Sequence, residues 1–139
     1  MTITSPSLQA RTPVTASGTS VRSAERVARV LLWACATAAG LAAVSALPVV
    51  LSAGQDTRFV EVWRLVGFAT FAAIFSVIAA APRRVPLGIW LAVIANKLVL
   101  TVVAIAWSGE AAGAASALWW DGSLTVALVA ALVLTRRSR

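Results

Sequence analysis

The chain has no histidine and no tyrosine, and single copies only of cysteine (Cys35), methionine (Met1) and lysine (Lys97). Histidine-centred nucleophilic triads, histidine or multi-cysteine metal sites and disulfide frameworks are thereby excluded, and neither metal nor any other cofactor is expected. Acidic residues are also scarce: Asp and Glu together number 5 against 12 Lys and Arg, a net charge of +7. Charged residues make up only 12% of the 139 residues, about half the share of a soluble domain. Hydrophobic side chains take their place at 60%, well above the usual share of about 45–50%. That balance belongs to a membrane protein.

Residues 1–22, MTITSPSLQARTPVTASGTSVR, are rich in Ser, Thr, Ala and Pro and show no apolar period. Such a segment buries too little surface to offset the entropy of ordering, and it is read as a disordered tail. Residues 23–139 hold four apolar stretches, at about 27–53, 59–81, 85–107 and 117–135. A hydrocarbon core of about 30 Å is crossed by roughly 20 helical residues, and in lipid a helix satisfies its own backbone groups. The expected fold is therefore all-α: a polytopic membrane protein whose four transmembrane helices form an up-down bundle with short connections. The first stretch is far longer than the h-region of a signal peptide, so it is read as a retained helix.

Charge placement sets the expected orientation. Arg11, Arg22, Arg26 and Arg29 precede the first helix, Arg83 and Arg84 sit in the PRRVP turn, and Arg136, Arg137 and Arg139 close the chain. All of these fall on one side of a four-helix path, whereas Asp56, Glu61, Glu110 and Asp121 fall at or near the other. The positive-inside rule then puts both termini in the cytoplasm and the protein in the cell membrane. Basic residues confined to that interface, without a glycine-rich phosphate loop, also argue against nucleic-acid and nucleotide partners. Trp33 and Trp90 near the inner ends, and Trp63, Trp107, Trp119 and Trp120 near the outer ends, match two aromatic belts. Ala34, Ala38, Ala42 and Ala46 form a small-residue ladder suited to close helix approach. Pro48 is expected to kink or loosen the last turn of the first helix.

A few polar residues remain inside the spans: Glu61, Arg64, Asn96, Lys97 and Asp121. An ionised group at mid-bilayer costs about 2.5–3.5 kcal/mol on insertion scales, so Lys97 is expected to face the bundle interior beside a partner. Glu61, three residues from Arg64 on one helix face where the two can also pair with each other, and Asp121 at the head of the fourth helix are the candidates. With Asn96, these groups form an expected polar pocket in the outer half, roofed by Trp63, Trp107, Trp119 and Trp120. A carboxylate among apolar walls can serve as general acid while an ionised neighbour serves as base, which assigns Glu61 and Asp121 as catalytic candidates. Arg64, Asn96, Lys97 and the four tryptophans are then the binding residues. The same charges can instead neutralise one another and fix which helix faces meet. Cys35 reads as a small packed residue, Ser76 as bonded back to its own helix, and Thr101 as lying one turn from Lys97.

The pattern E-x-x-R-x-x-G at the head of the second helix (Glu61, Arg64, Gly67), a cation in the third (Lys97) and an acid opening the fourth (Asp121) resembles the DoxX-like group of small four-helix membrane proteins. The resemblance covers about residues 27–135. Lys97 and Asp121 stand where Arg and Glu would be expected. It implies the four-helix architecture and an association with membrane redox complexes or with assembly and chaperone roles.

Three functions follow as expectations. The first is a pocket that binds a lipophilic small molecule arriving laterally from the bilayer and isomerises or cyclises it by acid/base chemistry. The second is a non-catalytic accessory or assembly subunit that pairs with itself or with a partner membrane protein. The third is a small-molecule exporter, disfavoured because small multidrug transporters carry an embedded acid in their first helix and this one has none.

Overall fold

The computed structural model describes residues 16–110 and 114–137. Residues 1–15 of the expected tail, with Arg11, and Arg139 lie outside the described residues. Four helices follow one another: α1 (Ala16–Ser52), α2 (Gln55–Ala80), α3 (Leu87–Ala106) and α4 (Ala114–Arg137), with no strand among the described residues. Each contains a stretch long and apolar enough to cross a membrane.

Helix α1 begins at Ala16, so residues 16–22 are helical rather than part of a tail ending at 22. Its 37 residues extend about 55 Å at the α-helical rise, well beyond a hydrocarbon core. Polar residues continue the first span instead of ending it, and an i,i+4 ion pair between Arg29 and Glu25 at 3.2 Å supports that segment. At the other end α1 runs through Pro48 to Ser52. The Ser52 hydroxyl donates to the Pro48 carbonyl at 2.9 Å, and the Arg58 guanidinium donates to the Ala53 carbonyl at 3.0 Å.

Asp56 and Arg58 belong to the first turn of α2. Gly54 caps that helix, its carbonyl accepting from the Arg58 N–H at 2.9 Å, and an acid in the first turn complements the helix dipole. Pro82 and Pro86 frame the next turn; Pro86 lacks an N–H to continue a helix and caps α3 instead. Gly109, at φ 105°, supplies the left-handed residue after α3. Arg136 and Arg137 occupy the last turn of α4, where cations are favoured.

Helix α1 packs on α2 and on α4, and α4 packs on α3. The expected α2–α3 neighbour pair is different: nowhere do their Cα atoms come within 8 Å. Small residues explain the contrast. Of the buried positions on α1, all but Leu32 are small, and Ala28, Cys35, Ala36, Ala39 and Ala46 let its neighbours approach. Between α2 and α3 the large side chains Phe71 and Lys97 meet and keep the backbones apart. The buried α1 face is thus rotated from the Ala34–Ala38–Ala42–Ala46 ladder, of which only Ala46 is fully buried.

The core is Leu32, Phe75, Ile78, Trp90 and Leu128, closed by Ala28, Ala79 and Ala131. All of these lie toward the arginine-bearing end. Trp90 therefore belongs to the packed interior, not to an aromatic belt: at 1% exposure it fills a space that the neighbouring alanines leave open. In the opposite half Leu41, Val44, Phe59, Trp63, Val66, Val102 and Trp119 all face outward.

Candidate functional site

The interior charge is Lys97. It shares a face of α3 with Trp90, Val93 and Ala104, the helical spacing that points a side chain into the bundle. Its ammonium donates to Asp121 Oδ1 of α4 at 2.7 Å, with side-chain exposures of 4% and 15%. The same ammonium stands 4.1 Å from the ring centroid of Phe71 on α2, so an aromatic face completes the cation's surroundings. Phe71 in turn stacks on the core ring of Phe75, with centroids 5.7 Å apart. One residue from each of three helices thus meets at one point.

Local hydrogen bonds finish the arrangement. The Thr101 hydroxyl donates to the Lys97 carbonyl at 2.8 Å and the Thr125 hydroxyl to the Asp121 carbonyl at 2.7 Å, each one turn back along its own helix. A Cβ at Gly122 would lie 3.6 Å from Thr101 Cγ2. That is an ordinary van der Waals separation, so Gly122 faces α3 beside Asp121 with room for a methyl group. Among the described residues no buried side-chain nitrogen or oxygen lacks a hydrogen-bond partner. Cys35 is packed and Ser76 donates to the Ala72 carbonyl at 2.8 Å, as their positions suggested.

Glu61 and Arg64 are elsewhere. Arg64 donates from one nitrogen to both Glu61 oxygens at 3.2 and 3.1 Å, and its guanidinium carbon lies 6.0 Å from the Phe68 ring centroid. This pair stays within α2, with half of the Arg64 side chain exposed. Glu61 is about 15 Å along the axis from Phe71 at 1.5 Å per residue. The structure therefore brings together Lys97 and Asp121, separately joins Glu61 to Arg64, and does not gather all four at one place.

Asn96, beside Lys97 in sequence, turns away from the bundle and is exposed. Its amide makes no hydrogen bond among the described residues. Trp63, Trp107, Trp119 and Trp120 are 57–80% exposed, so they lie on the outer surface where aromatic belts form and do not roof an interior pocket. One residue turn of about 100° separates Asn96 from Lys97, which suffices to put them on different faces.

Two contacts carry no strong sequence signal. Phe71 looks like one more apolar residue of α2, and only its ring position against the ammonium distinguishes it. Glu25 bonds Arg29 at 3.2 Å and, across to the α2–α3 turn, Arg83 at 2.9 Å. It is an acid among the arginines in the first half of α1, and nothing in the sequence marks Arg83 as its partner across the bundle. No group of three or more Cys, Asp or Glu placed to hold a metal ion occurs among the described residues. Comparison of the chain with models of known families, with curated proteins and with solved structures finds no match.

Proposed function

We propose that this chain is a non-catalytic subunit of a membrane complex, held in its own fold by Lys97 and Asp121 and docked through the outward face of α3 onto a partner's transmembrane helix. One contrast carries the reading. Lys97, Asp121, Glu61 and Arg64 are all paired within the chain, whereas Asn96 presents an unbonded amide outward near the middle of α3. An unpaired amide in hydrocarbon is costly, and a transmembrane helix offering a hydroxyl or amide at that depth relieves the cost. Gly88 and Ala92, each one turn apart on the approach to Asn96 and likewise exposed, leave room for a second backbone. On this reading the arginine end faces the cytoplasm.

The test is native mass spectrometry of the chain purified in mild detergent from its own cell membranes. We compare the wild type with Asn96→Leu and with the double variant Lys97→Met/Asp121→Leu, each checked for helical content. A defined membrane protein that accompanies the wild type and the double variant, but leaves the folded Asn96→Leu protein, is the expected result. A complex that survives Asn96→Leu intact overturns the reading.

A second reading is favoured by the α2–α3 separation, where Phe71 and Lys97 bridge backbones that stay more than 8 Å apart. That seam offers lateral access for a lipophilic molecule, with Asp121 as the acid/base group and Glu61 nearer the outer end. A discrete hydrophobic molecule that accompanies the wild type and is lost from folded Asp121→Asn supports this alternative.

A further inference from the structure

At the arginine-bearing end a cleft of about 390 Å³ lies between α1 and the α2–α3 turn. Arg29, Arg83, Arg84 and Glu25 supply its polar lining, and Ala80, Ala81 and Pro82 its apolar wall. Glu25 takes the Arg29 guanidinium on one oxygen at 3.2 Å and that of Arg83 on the other at 2.9 Å. The carboxylate therefore holds two guanidinium groups from different elements at one mouth. The Arg29 contact uses a single terminal nitrogen of a guanidinium that carries five N–H donors. Arg84 adds a third cation whose side chain has no partner among the described residues.

We infer that this cleft is a binding site for a phosphate ester, with the headgroup of an anionic phospholipid as its source in the membrane. Three arginines against one glutamate leave the cleft cationic. The carbonyls at the end of α2 offset part of that surplus, but the Arg84 N–H already takes the Ala81 carbonyl at 2.9 Å. Arg22, Arg26, Arg136 and Arg137 occupy the same end and add attraction without lining the cleft. Guanidinium forks match phosphate oxygens in geometry as well as in charge. The short wall of Ala80, Ala81 and Pro82 suits the glycerol and first methylenes that follow a lipid phosphate. Basic pockets at the ends of transmembrane helices hold anionic headgroups in this way.

The experiment titrates the purified full chain in neutral detergent with phosphatidylglycerol, with phosphatidylcholine of the same acyl chains, and with glycerol phosphate, counting bound molecules by native mass spectrometry. Arg83→Gln/Arg84→Gln is compared with Arg136→Gln/Arg137→Gln, which removes equal charge from the same end outside the cleft. We expect phosphatidylglycerol to bind in preference to phosphatidylcholine, and the cleft variant to weaken it by about tenfold or more while the control changes it by less than about threefold. Glycerol phosphate bound as tightly, with the same loss in the cleft variant, keeps the phosphate site but makes its source a soluble ester. Equal weakening by both double variants, or no preference over phosphatidylcholine, overturns the inference. Asn96→Leu should leave this binding unchanged, which separates it from the docking reading.

Discussion

The Lys97 ammonium and the Asp121 carboxylate, 2.7 Å apart, tie the middle of α3 to the N-terminal part of α4 across a nearly closed interior. Removing one partner leaves the other charge unpaired among apolar helices. Lys97→Met and Asp121→Asn should therefore each destabilise the chain by about 3–5 kcal/mol, whereas Lys97→Met/Asp121→Leu should recover most of that loss. Thermal unfolding followed by circular dichroism in one detergent measures all three. A double variant no more stable than the worse single variant would show that the pair is not coupled in this way.

The Glu61–Arg64 pair should behave differently. Both residues belong to α2 and half of the Arg64 side chain is exposed, so their contact links no two helices. Glu61→Gln and Arg64→Gln are expected to shift stability by no more than about 1 kcal/mol. The same melting experiment distinguishes this from an interior role.

Packing gives a third expectation, because the core lies toward the arginine end. Leu128 is fully buried, whereas Val126, two positions before it, is 71% exposed. Leu128→Ala should cost about 2–5 kcal/mol through lost contacts and a residual cavity. Val126→Ala should cost less than about 0.5 kcal/mol. Unfolding in detergent with increasing denaturant tests whether the two separate as the burial requires.

Much of the architecture was legible because hydrophobic length and arginine position are one-dimensional signals. Residues 59–81 differ from α2 where polar residues near Gln55 remain helical and by the capping Ala81, and 85–107 exceeds α3 only by residues in the flanking turns. Lys97 was placed inward and Asp121 named among its candidate partners because an interior cation demands an acid. Facing was harder to read. The alanine ladder at 34, 38, 42 and 46 has a helical period, yet Cys35, Ala36 and Ala39 have one too, and only contact with α2 and α4 chooses between them. Trp90 fits an interfacial position by its place along α3, but its rotation about the axis puts it in the core. Glu61 suited Lys97 by sign but lies about 15 Å along the axis from Phe71, and Arg64 on its own helix pairs with it instead.

Gly122 offers the finest probe of the interior contact, since it faces Thr101 of α3 beside Asp121. A methyl group there would meet Thr101 Cγ2 at 3.6 Å, an ordinary van der Waals separation. Gly122→Ala should thus be accommodated and, by limiting the backbone freedom of the unfolded chain, should stabilise α4 by about 0.5–1 kcal/mol. A branched side chain extends beyond that Cβ position, which already touches Thr101. Gly122→Leu should push α4 outward, lengthen the 2.7 Å contact between Lys97 and Asp121, and destabilise the chain by about 1–3 kcal/mol. Because the loss arises through the ion pair, the Lys97→Met/Asp121→Leu background should reduce it, and a thermodynamic cycle over these variants reads that coupling directly. Equal losses in both backgrounds would mean that Gly122 serves helix packing alone and leaves the charges to find each other without it.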